Sequence, residues 1–246
     1  MQIIVEESYK SMSEKCANDL LEFILPLENP VICAASGDTP KGMYGELVKQ
    51  VREKQIDVSN WHFIGLDEWA GMNGNDEGSC RYHLNNDLFY PLQIAEDKII
   101  FFDGRAKNLQ AQCDGVEDYI SLMGGIDVAI VGLGMNGHVG MNEPGTDPEL
   151  FSHIADIDSM TQLVGQKYFK SQQQLSKGLT IGIASLQKAA FIMLLASGTK
   201  KSGIIKKILE EDASPQLPAT LLLSHKKIDI YLDKEAASLI TRNENG

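Results

Sequence analysis

Short apolar runs recur along the chain, and amphipathic segments separate them. The runs read QIIVE, VICAAS, HFIGLD, KIIFFD, DVAIVGLG, LTIGI, AFIMLLAS and IDIYLD. Such runs are typical of strands, and the segments between them have helical periodicity, as from Ser8 to Leu25 and from Tyr44 to Val51. The alternation predicts an α/β fold, with one domain over residues 1–246 and an open, mostly parallel, doubly wound (Rossmann-like) sheet. Right-handed crossovers bring the carboxyl ends of the strands to one edge, where such sheets bind ligands.

The segment from Asp147 to Lys177 is the least regular part of the sequence. It is polar, rich in glutamine and poor in strand signal. Irregular segments between two strands often close over a ligand, so residues 147–177 are the candidate lid of this domain. An ordinary pair of surface helices fits the same composition.

The charge balance argues against two classes of partner. The formal net charge is -12, so nucleic acid and anionic membranes would repel the chain, and neither is expected as a partner. A small anionic ligand must instead meet a local positive site. The sequence leaves the assembly state open, and a homo-oligomer is one of the alternatives.

Cysteine usage and hydropathy indicate the compartment. The four cysteines show no C-x-x-C spacing, which suits a reducing environment. The stretch MQIIVEESYK lacks the pattern of an export signal, and the longest apolar run, Ala189 to Ala196, is too short to cross a bilayer. We therefore expect a cytoplasmic protein without a membrane anchor.

The stretch AASGDTPKGMY contains the first candidate site. A strand ends at Ser36, and the turn through Gly37 and Asp38 leads to Thr39 as helix N-cap, with Pro40 at the first helical position. Backbone N–H groups of such a turn and helix start suit a phosphate. The G-K-S/T ending of a P-loop is missing, and a tight strand-to-helix turn without a ligand is the alternative.

The stretch FIGLDEWAG places two adjacent carboxylates, Asp67 and Glu68, at the end of an apolar strand. A partly desolvated carboxylate has a raised pKa and can act as a general base. A helix cap or an ion pair is the alternative. We assign the base to Asp67 and expect Glu68 to orient the structure.

The stretch VGLGMNGHVGMNEPG can be interpreted in two ways. Gly132, Gly134 and Gly137 match the dinucleotide pattern G-x-G-x-x-G after a strand. That fingerprint needs its third glycine to enter a long helix, whereas Pro144 and Gly145 signal a turn here. The pattern of glycines is therefore weak evidence for a nucleotide.

The polar residues of the same stretch favour a catalytic histidine. Asn136 and Glu143 can each hydrogen-bond the imidazole of His138 and fix its tautomer, which would make His138 a proton shuttle. A metal site is disfavoured because neither H-E-x-x-H nor paired histidines occur nearby. The other histidines are expected to be structural or on the surface: His62, His83, His153 and His225.

Taken together, the motifs SGDTP, LDEW, GLGMNGHVGMNEPG, LTIGI and LLASGTKKS resemble the glucosamine-6-phosphate isomerase/deaminase family, from about Val31 to at least Asp233. The 6-phosphogluconolactonases of the same superfamily usually carry Arg after the D-E pair and a Ser-Leu-Phe-Pro run after the G-H turn. Trp69 and the run Asn142 to Pro144 stand at those places here, which favours the isomerase branch. Within it, LDEW and NGH look closer to galactosamine-6-phosphate isomerases.

The resemblance implies a reaction that needs no metal or organic cofactor. His138 would pass a proton to the ring oxygen of a hexosamine 6-phosphate, and Asp67 would move the C2 proton to C1. Ammonia then leaves, and a ketose 6-phosphate (tagatose or fructose 6-phosphate) remains. Glu143 matches the residue that orients the histidine, and the phosphate is expected on Ser36 to Thr39 with Lys201.

Two residues depart from the family pattern. Asn136 replaces a catalytic Asp, so it can hydrogen-bond His138 but brings no charge. Lys167, in GQKYF, replaces the lid arginine on the phosphate and offers a point charge instead of a bidentate fork. Two other functions stay open: lactone hydrolysis, with His138 activating water, and a non-catalytic sugar-phosphate sensor.

Overall fold

A computed structural model describes residues 1–240 of the chain, and ten strands lie in this part. They are β1 Gln2–Glu6, β2 Val31–Ala34, β3 His62–Gly65, β4 Asp67–Trp69, β5 Ile99–Ile100, β6 Val128–Gly132, β7 His153–Asp156, β8 Lys177–Thr180, β9 Phe191–Ala196 and β10 Ile228–Asp233. Seven of them form one sheet in the order β1-β10-β9-β6-β2-β3-β5. Every pair of neighbours in this sheet is parallel. The α/β fold expected from the alternating runs is confirmed.

Helices connect the strands. They are α1 Tyr9–Ile24, α2 Asp38–Glu53, α3 Cys80–Leu84, α4 Tyr90–Leu92, α5 Leu109–Leu122, α6 Ser159–Gly165, α7 Ile183–Leu186, α8 Ser202–Glu210 and α9 Pro218–Leu222. A π-helical turn, Asn85–Phe89, joins α3 to α4, and 3-10 turns lie at Glu96–Lys98, Gln166–Tyr168 and Thr199–Lys201. In the described part of the chain, none of the helices combines the length and apolarity that a bilayer crossing requires.

The sheet is buried on both faces, as the apolar runs require. In β9, Phe191 and Met193 face the same core as α1 and α2, whereas Ile192 and Leu194 face the core that contains α5 and α8. Successive side chains of a strand point to opposite faces, so a run without polar residues has to be covered on both sides. The doubly wound arrangement follows from this.

A second, smaller sheet is antiparallel and has the order β4-β8-β7. The predicted strand LTIGI therefore exists as β8 but lies outside the parallel sheet. The segment 147–177 contains β7, although its sequence carries little strand signal. Only Ala155 of β7 is buried, and a strand that buries one side chain leaves little apolar signal.

Helix α2 begins earlier than its sequence pattern predicts. Its N-cap is Gly37, with φ 115°, and not Thr39, so Pro40 is the third helical residue. The Tyr9 hydroxyl donates to the Asp38 carbonyl and accepts from the Gly42 N–H, each at 2.7 Å. This tertiary contact ties the first turn of α2 to the start of α1, and no side chain caps α2.

Strands β2 and β6 are neighbours in the sheet, although the chain leaves them in opposite directions. After β2, the next strand of this sheet is β3, on one side; after β6, the next strand of this sheet is β9, on the other side. A crevice opens beyond the carboxyl ends of strands at such a reversal of strand order. The turn after β2 and the glycine-rich stretch after β6 both reach this crevice.

Glu68 connects the small sheet to α3. The side chain is buried and accepts backbone N–H groups from Trp69 at 2.8 Å, and from Cys80 and Arg81 at 3.0 Å each. These hydrogen bonds fix the start of β4. The neighbouring Asp67 side chain points to the opposite face of the strand from Glu68.

Replacing Glu68 with Gln should lower the thermal unfolding midpoint by about 4–8 °C, since a neutral amide cannot accept three N–H groups. The lost hydrogen bonds correspond to roughly 2 kcal/mol or more. Scanning calorimetry of E68Q measures the change. The matched control is E28Q, because Glu28 is exposed and its replacement should leave the midpoint within about 2 °C. An unchanged midpoint in E68Q would contradict this account.

Candidate active site

A cavity of about 660 Å³ lies beyond the carboxyl ends of β2 and β6. Its walls are the turn after β2, the start of β4, the glycine-rich stretch after β6, helix α6 with the 3-10 turn Gln166–Tyr168, and the 3-10 turn after β9. A volume of this size is sufficient for a small-molecule ligand. Most of the predicted site residues line this cavity or stand directly behind its lining.

The turn from Ser36 to Thr39 lines the cavity together with Lys167 and Lys201. The positive φ of Gly37 turns the chain into α2, whose first N–H groups lack partners within the helix. A side chain at Gly37 would come within 3.3 Å of the Tyr168 hydroxyl, so the glycine also leaves space for that ring. Backbone donors and two amino groups thus face one cavity, which suits an anion.

Lys201 is held at this cavity by its own hydrogen bond. Its Nζ donates to the carbonyl of Leu133, the residue after β6. Burial, together with the nearby charge of Lys167, lowers the pKa of Lys201 to about 8. An anion between the two amino groups would relieve their repulsion.

Asp38 pairs with Lys167 across the cavity mouth. The Asp38 Oδ2 lies 2.6 Å from the Lys167 Nζ, and both side chains are more than one third exposed. A carboxylate would repel a phosphate, so only the backbone N–H of Asp38 can serve such a ligand. Its side chain instead competes with the ligand for Lys167.

Asp67 is the first residue of β4 and lines the cavity. Burial raises the pKa of Asp67 to about 6, although the Cys80 thiol and the charge of His138 oppose the shift. A carboxyl group with this pKa is mostly ionised at neutral pH and is a stronger base than an exposed aspartate. The raised pKa of Asp67 and its place in the cavity lining therefore suit proton transfer to and from a ligand.

Asn136, His138 and Glu143 form one hydrogen-bonded group after β6. The Asn136 Oδ1 lies 2.7 Å from the His138 Nδ1, and the Asn136 amide donates to the Glu143 Oε2 at 2.8 Å. The distance from the His138 Nδ1 to the Glu143 Oε2 is 3.5 Å. The carboxylate therefore acts on the imidazole mainly through the amide of Asn136.

Glu143 is buried behind the imidazole. Burial opposes its ionisation, but the neighbouring His138, the hydrogen bond from the Asn136 amide and the nearby Thr161 hydroxyl lower the pKa of Glu143 below its ordinary value. Next to it, the buried Asn142 amide donates to the carbonyls of Val139 at 2.8 Å and Ile181 at 2.9 Å. The turn that holds Glu143 is fixed by these two bonds.

The glycines of this stretch make space for the imidazole instead of starting a nucleotide site. A Cβ on Gly134 would lie 2.3 Å from the His138 ring, and Gly137 has φ 85° with a Leu217 methyl 2.2 Å from the place of its Cβ. Within residues 1–240, no helix lies between β6 and α6. The third glycine does not enter a helix, and the dinucleotide fingerprint is absent from this part of the fold.

Sequence reasoning missed some residues of the cavity. The hydroxyl of Thr161, from α6, lies 3.0 Å from the His138 Nδ1. His83 and Tyr168 also line the cavity, with their rings edge to face at 5.3 Å. His83 was expected to be structural or on the surface, and that prediction is incomplete. None of the three belongs to a motif, because the fold alone brings them to the site.

The other histidines have structural contacts. His62 pairs with the Tyr119 hydroxyl at 2.6 Å, while His153 and His225 hydrogen-bond backbone carbonyls. Among residues 1–240, no three His, Cys, Asp or Glu side chains converge as ligands for a metal ion.

Comparison with known proteins gives consistent matches. Residues 5–231 match the family model described as glucosamine-6-phosphate isomerases/6-phosphogluconolactonase. The glucosamine-6-phosphate deaminase of Oceanobacillus iheyensis is 36% identical over 237 residues, covering 96% of this chain and 95% of the relative. That of Clostridium perfringens is 34% identical over 241 residues, covering 98% and 100%.

Solved structures show the same similarity. A monomeric glucosamine-6-phosphate deaminase superimposes with a TM-score of 0.94 at 30% identity, covering 97% of this chain and 100% of that one. The 6-phosphogluconolactonase of Trypanosoma brucei superimposes with a TM-score of 0.75 at 21% identity, covering 98% of each chain. The second match shows a shared fold only.

Replacing Asp38 with Asn should tighten the binding of inorganic phosphate about two- to fivefold, because Lys167 loses its competing carboxylate. This change in affinity corresponds to the small free energy, below about 1 kcal/mol, by which an exposed ion pair is stabilised. Isothermal titration calorimetry measures it. D156N is the matched control, since Asp156 pairs with Lys177 at 3.3 Å outside the cavity lining. Weaker phosphate binding by D38N would show that the Asp38 side chain assists the anion.

Proposed function

Because the chain belongs to the family of glucosamine-6-phosphate isomerases and 6-phosphogluconolactonases, we propose that it converts a hexosamine 6-phosphate to a ketohexose 6-phosphate and ammonia. One observation carries the proposal. A carboxylate with a raised pKa, Asp67, and an imidazole backed by a carboxylate, His138, face one cavity that also holds two lysines. The reaction needs a base for a carbon-bound proton, a shuttle for an oxygen-bound proton and a site for a phosphate.

Ring opening is assigned to His138. Opening a hemiacetal moves one proton, in net terms, from the C1 hydroxyl to the ring oxygen. Asn136 can only accept from the His138 Nδ1, because its own amide donates to Glu143. Nδ1 therefore carries the proton, and Nε2 is left as the atom that takes the proton and returns it. Glu143 stabilises the charged imidazole during the transfer.

Isomerisation is assigned to Asp67. The open-chain aldehyde makes the C2 proton acidic. An ionised Asp67 removes that proton while the C1 oxygen takes one from solvent, which gives an enolamine. The same carboxyl group then protonates C1, which leaves a protonated imine at C2. Water hydrolyses this imine to the ketose 6-phosphate and ammonium, which returns a proton to solvent as ammonia. A single carboxylate suffices, since C1 and C2 can both be reached from the same face of the planar enolamine.

The phosphate is assigned to the turn Ser36 to Thr39, with Lys201 and Lys167. The N–H groups at the start of α2 and the two amino groups support this assignment. Residues 147–177 serve as the lid of a single domain, 1–246. Helix α6 and Lys167 belong to that segment and line the cavity, which favours a lid over a surface helix pair.

We assign the enzyme to the cytoplasm. All four cysteines are free and buried, as suits a reducing compartment. The substrate is a free sugar phosphate, and no polymer or membrane is needed as a partner.

Galactosamine 6-phosphate is the proposed preferred epimer, with glucosamine 6-phosphate as the alternative. The motifs LDEW and NGH support the galactosamine assignment through their resemblance to galactosamine-6-phosphate isomerases. The deaminases reported above are named for glucosamine 6-phosphate. Ammonia release from each epimer, compared as kcat/KM, decides the preference. A higher kcat/KM for glucosamine 6-phosphate would reverse it.

The same assay separates the other two functions. A lactonase would hydrolyse 6-phosphogluconolactone above its spontaneous rate and release no ammonia from an amino sugar. A non-catalytic sensor would bind the hexosamine 6-phosphates and turn over none of the three compounds. Either result would reject the proposed activity.

Replacing Asp67 with Asn should reduce the rate of ammonia release by about 10² to 10⁴, because an amide cannot accept the C2 proton. A coupled ammonia assay measures the rate. Binding of inorganic phosphate by D67N, measured by calorimetry, serves as the control for an intact site and should be unchanged. Full activity in D67N would remove Asp67 from the mechanism.

The wild-type kcat/KM should fall about tenfold per pH unit below pH 6. Burial raises the pKa of Asp67 to about 6, so the protonated, inactive form dominates below that pH and the base is available above it. A pH profile of ammonia release measures this acidic decrease in kcat/KM. The residual activity of D67N should not decrease in this way, and a decrease that persists in D67N belongs to another group.

A further inference from the structure

Thr161 contacts the imidazole of His138 from a distant part of the chain. Its Oγ1 lies 3.0 Å from the His138 Nδ1, 23 residues away in sequence. The residue lies in the first turn of α6, inside the segment proposed as the lid. The catalytic loop after β6 and the lid therefore meet at one hydrogen bond.

We propose that Thr161 is a positioning residue, whose hydroxyl helps to hold His138 in the tautomer and orientation that present Nε2 to the substrate. This proposal rests on the proposed function for the identity of the substrate. The contact between Thr161 and His138 is independent of that function.

The proton on His138 is located by its neighbours. A carboxylate only accepts hydrogen bonds, so the amide nitrogen of Asn136 must be the atom at 2.8 Å from Glu143. The amide oxygen then faces the imidazole at 2.7 Å and requires an N–H at Nδ1. No residue within 1–240 hydrogen-bonds Nε2, and His138 lines the cavity. Nε2 is consequently the free basic nitrogen.

The role of the Thr161 hydroxyl follows from this. Because Nδ1 carries a single proton, the oxygens of Asn136 and Thr161 share it as acceptors, and the Thr161 hydroxyl keeps its own O–H to donate. That O–H is among the groups that lower the pKa of Glu143. Thr161 thus stands beside Asn136 as a second neutral link between the imidazole and the carboxylate, which are themselves 3.5 Å apart.

A second link matters more in this chain than it would beside an aspartate. Asn136 carries no charge, so the imidazolium formed during proton transfer is stabilised by Glu143 at a distance. The charged groups that face the ring are Glu143, from the loop after β6, and Asp67, from β4. An extra acceptor at Nδ1 strengthens when the ring is charged.

The contact also depends on where α6 is seated. Three residues of α6 that line the cavity are largely exposed, Met160 at 47%, Leu163 at 76% and Val164 at 41%. Gly165, in contrast, packs against Trp69 and Leu175. Just before the helix, the buried Ile157 donates its N–H to the Ser176 carbonyl at 3.0 Å. Both ends of α6 are therefore held, and Thr161 is seated beside the His138 ring.

The variants T161V and T161S separate the hydroxyl from the shape of the side chain. T161V should lower kcat about tenfold, corresponding to one charge-assisted hydrogen bond, whereas T161S should stay within about twofold of the wild type. T146V is the control, because Thr146 is not part of the cavity lining, and it should retain wild-type kcat. Wild-type kcat in T161V, or an equal loss in T161S, would overturn the proposal.

Nitrogen NMR of histidine-labelled protein tests the contact without turnover. The five histidine signals are assigned by comparison with H138Q. Wild-type His138 should show the Nδ1–H tautomer, and T161V should change the chemical shift of the Nδ1 signal, since the proton on Nδ1 loses an acceptor. Identical His138 signals in both proteins would overturn the proposal. If the wild type releases no ammonia but the His138 signals differ, the proposed function fails while the role of Thr161 stands.

Discussion

The hydrogen bond from the Asn136 amide to Glu143 is the contact on which the geometry of the site depends. It turns the amide oxygen toward His138 and thereby fixes the proton on Nδ1. A buried carboxylate without this partner would be left 3.5 Å from the imidazole, too far for a good hydrogen bond. The Asn136 amide carries no charge, unlike an aspartate, but it still orients the imidazole of His138. Thr161 adds a second acceptor at the same nitrogen, Nδ1.

The parallel sheet explains why these groups lie in the same cavity as the turn at Ser36. Strands β2 and β6 lie side by side and parallel, so the turn at Ser36 and the loop with His138 leave the sheet at the same edge. Asp67 follows the carboxyl end of β3 at the same edge, and it begins a short antiparallel sheet that Glu68 ties to α3. Three neighbouring strand ends of the parallel sheet therefore bring Ser36, Asp67 and His138 to one cavity.

Much of this architecture could be predicted from the sequence, because buried parallel strands are continuous apolar runs and their carboxyl ends share an edge. Asp67, His138 and Glu143 were recognisable as polar residues next to such runs. Strand β7 was not, since it buries only Ala155. The start of α2 was misplaced by two residues, because the positive φ of Gly37 already turns the chain into the helix and no side chain caps it. Thr161 has no local signal, as only the packing of α6 brings it to the imidazole.

The most direct test of the central claim is a crystal structure with an open-chain amino alditol 6-phosphate, which has no C1 carbonyl and cannot react. We expect its phosphate on the N–H groups of Ser36 to Thr39 with Lys201, its C2 beside the Asp67 carboxylate and its C5 hydroxyl on the His138 Nε2. A phosphate bound elsewhere, or a C2 atom out of reach of Asp67, would contradict the assignment of this cavity.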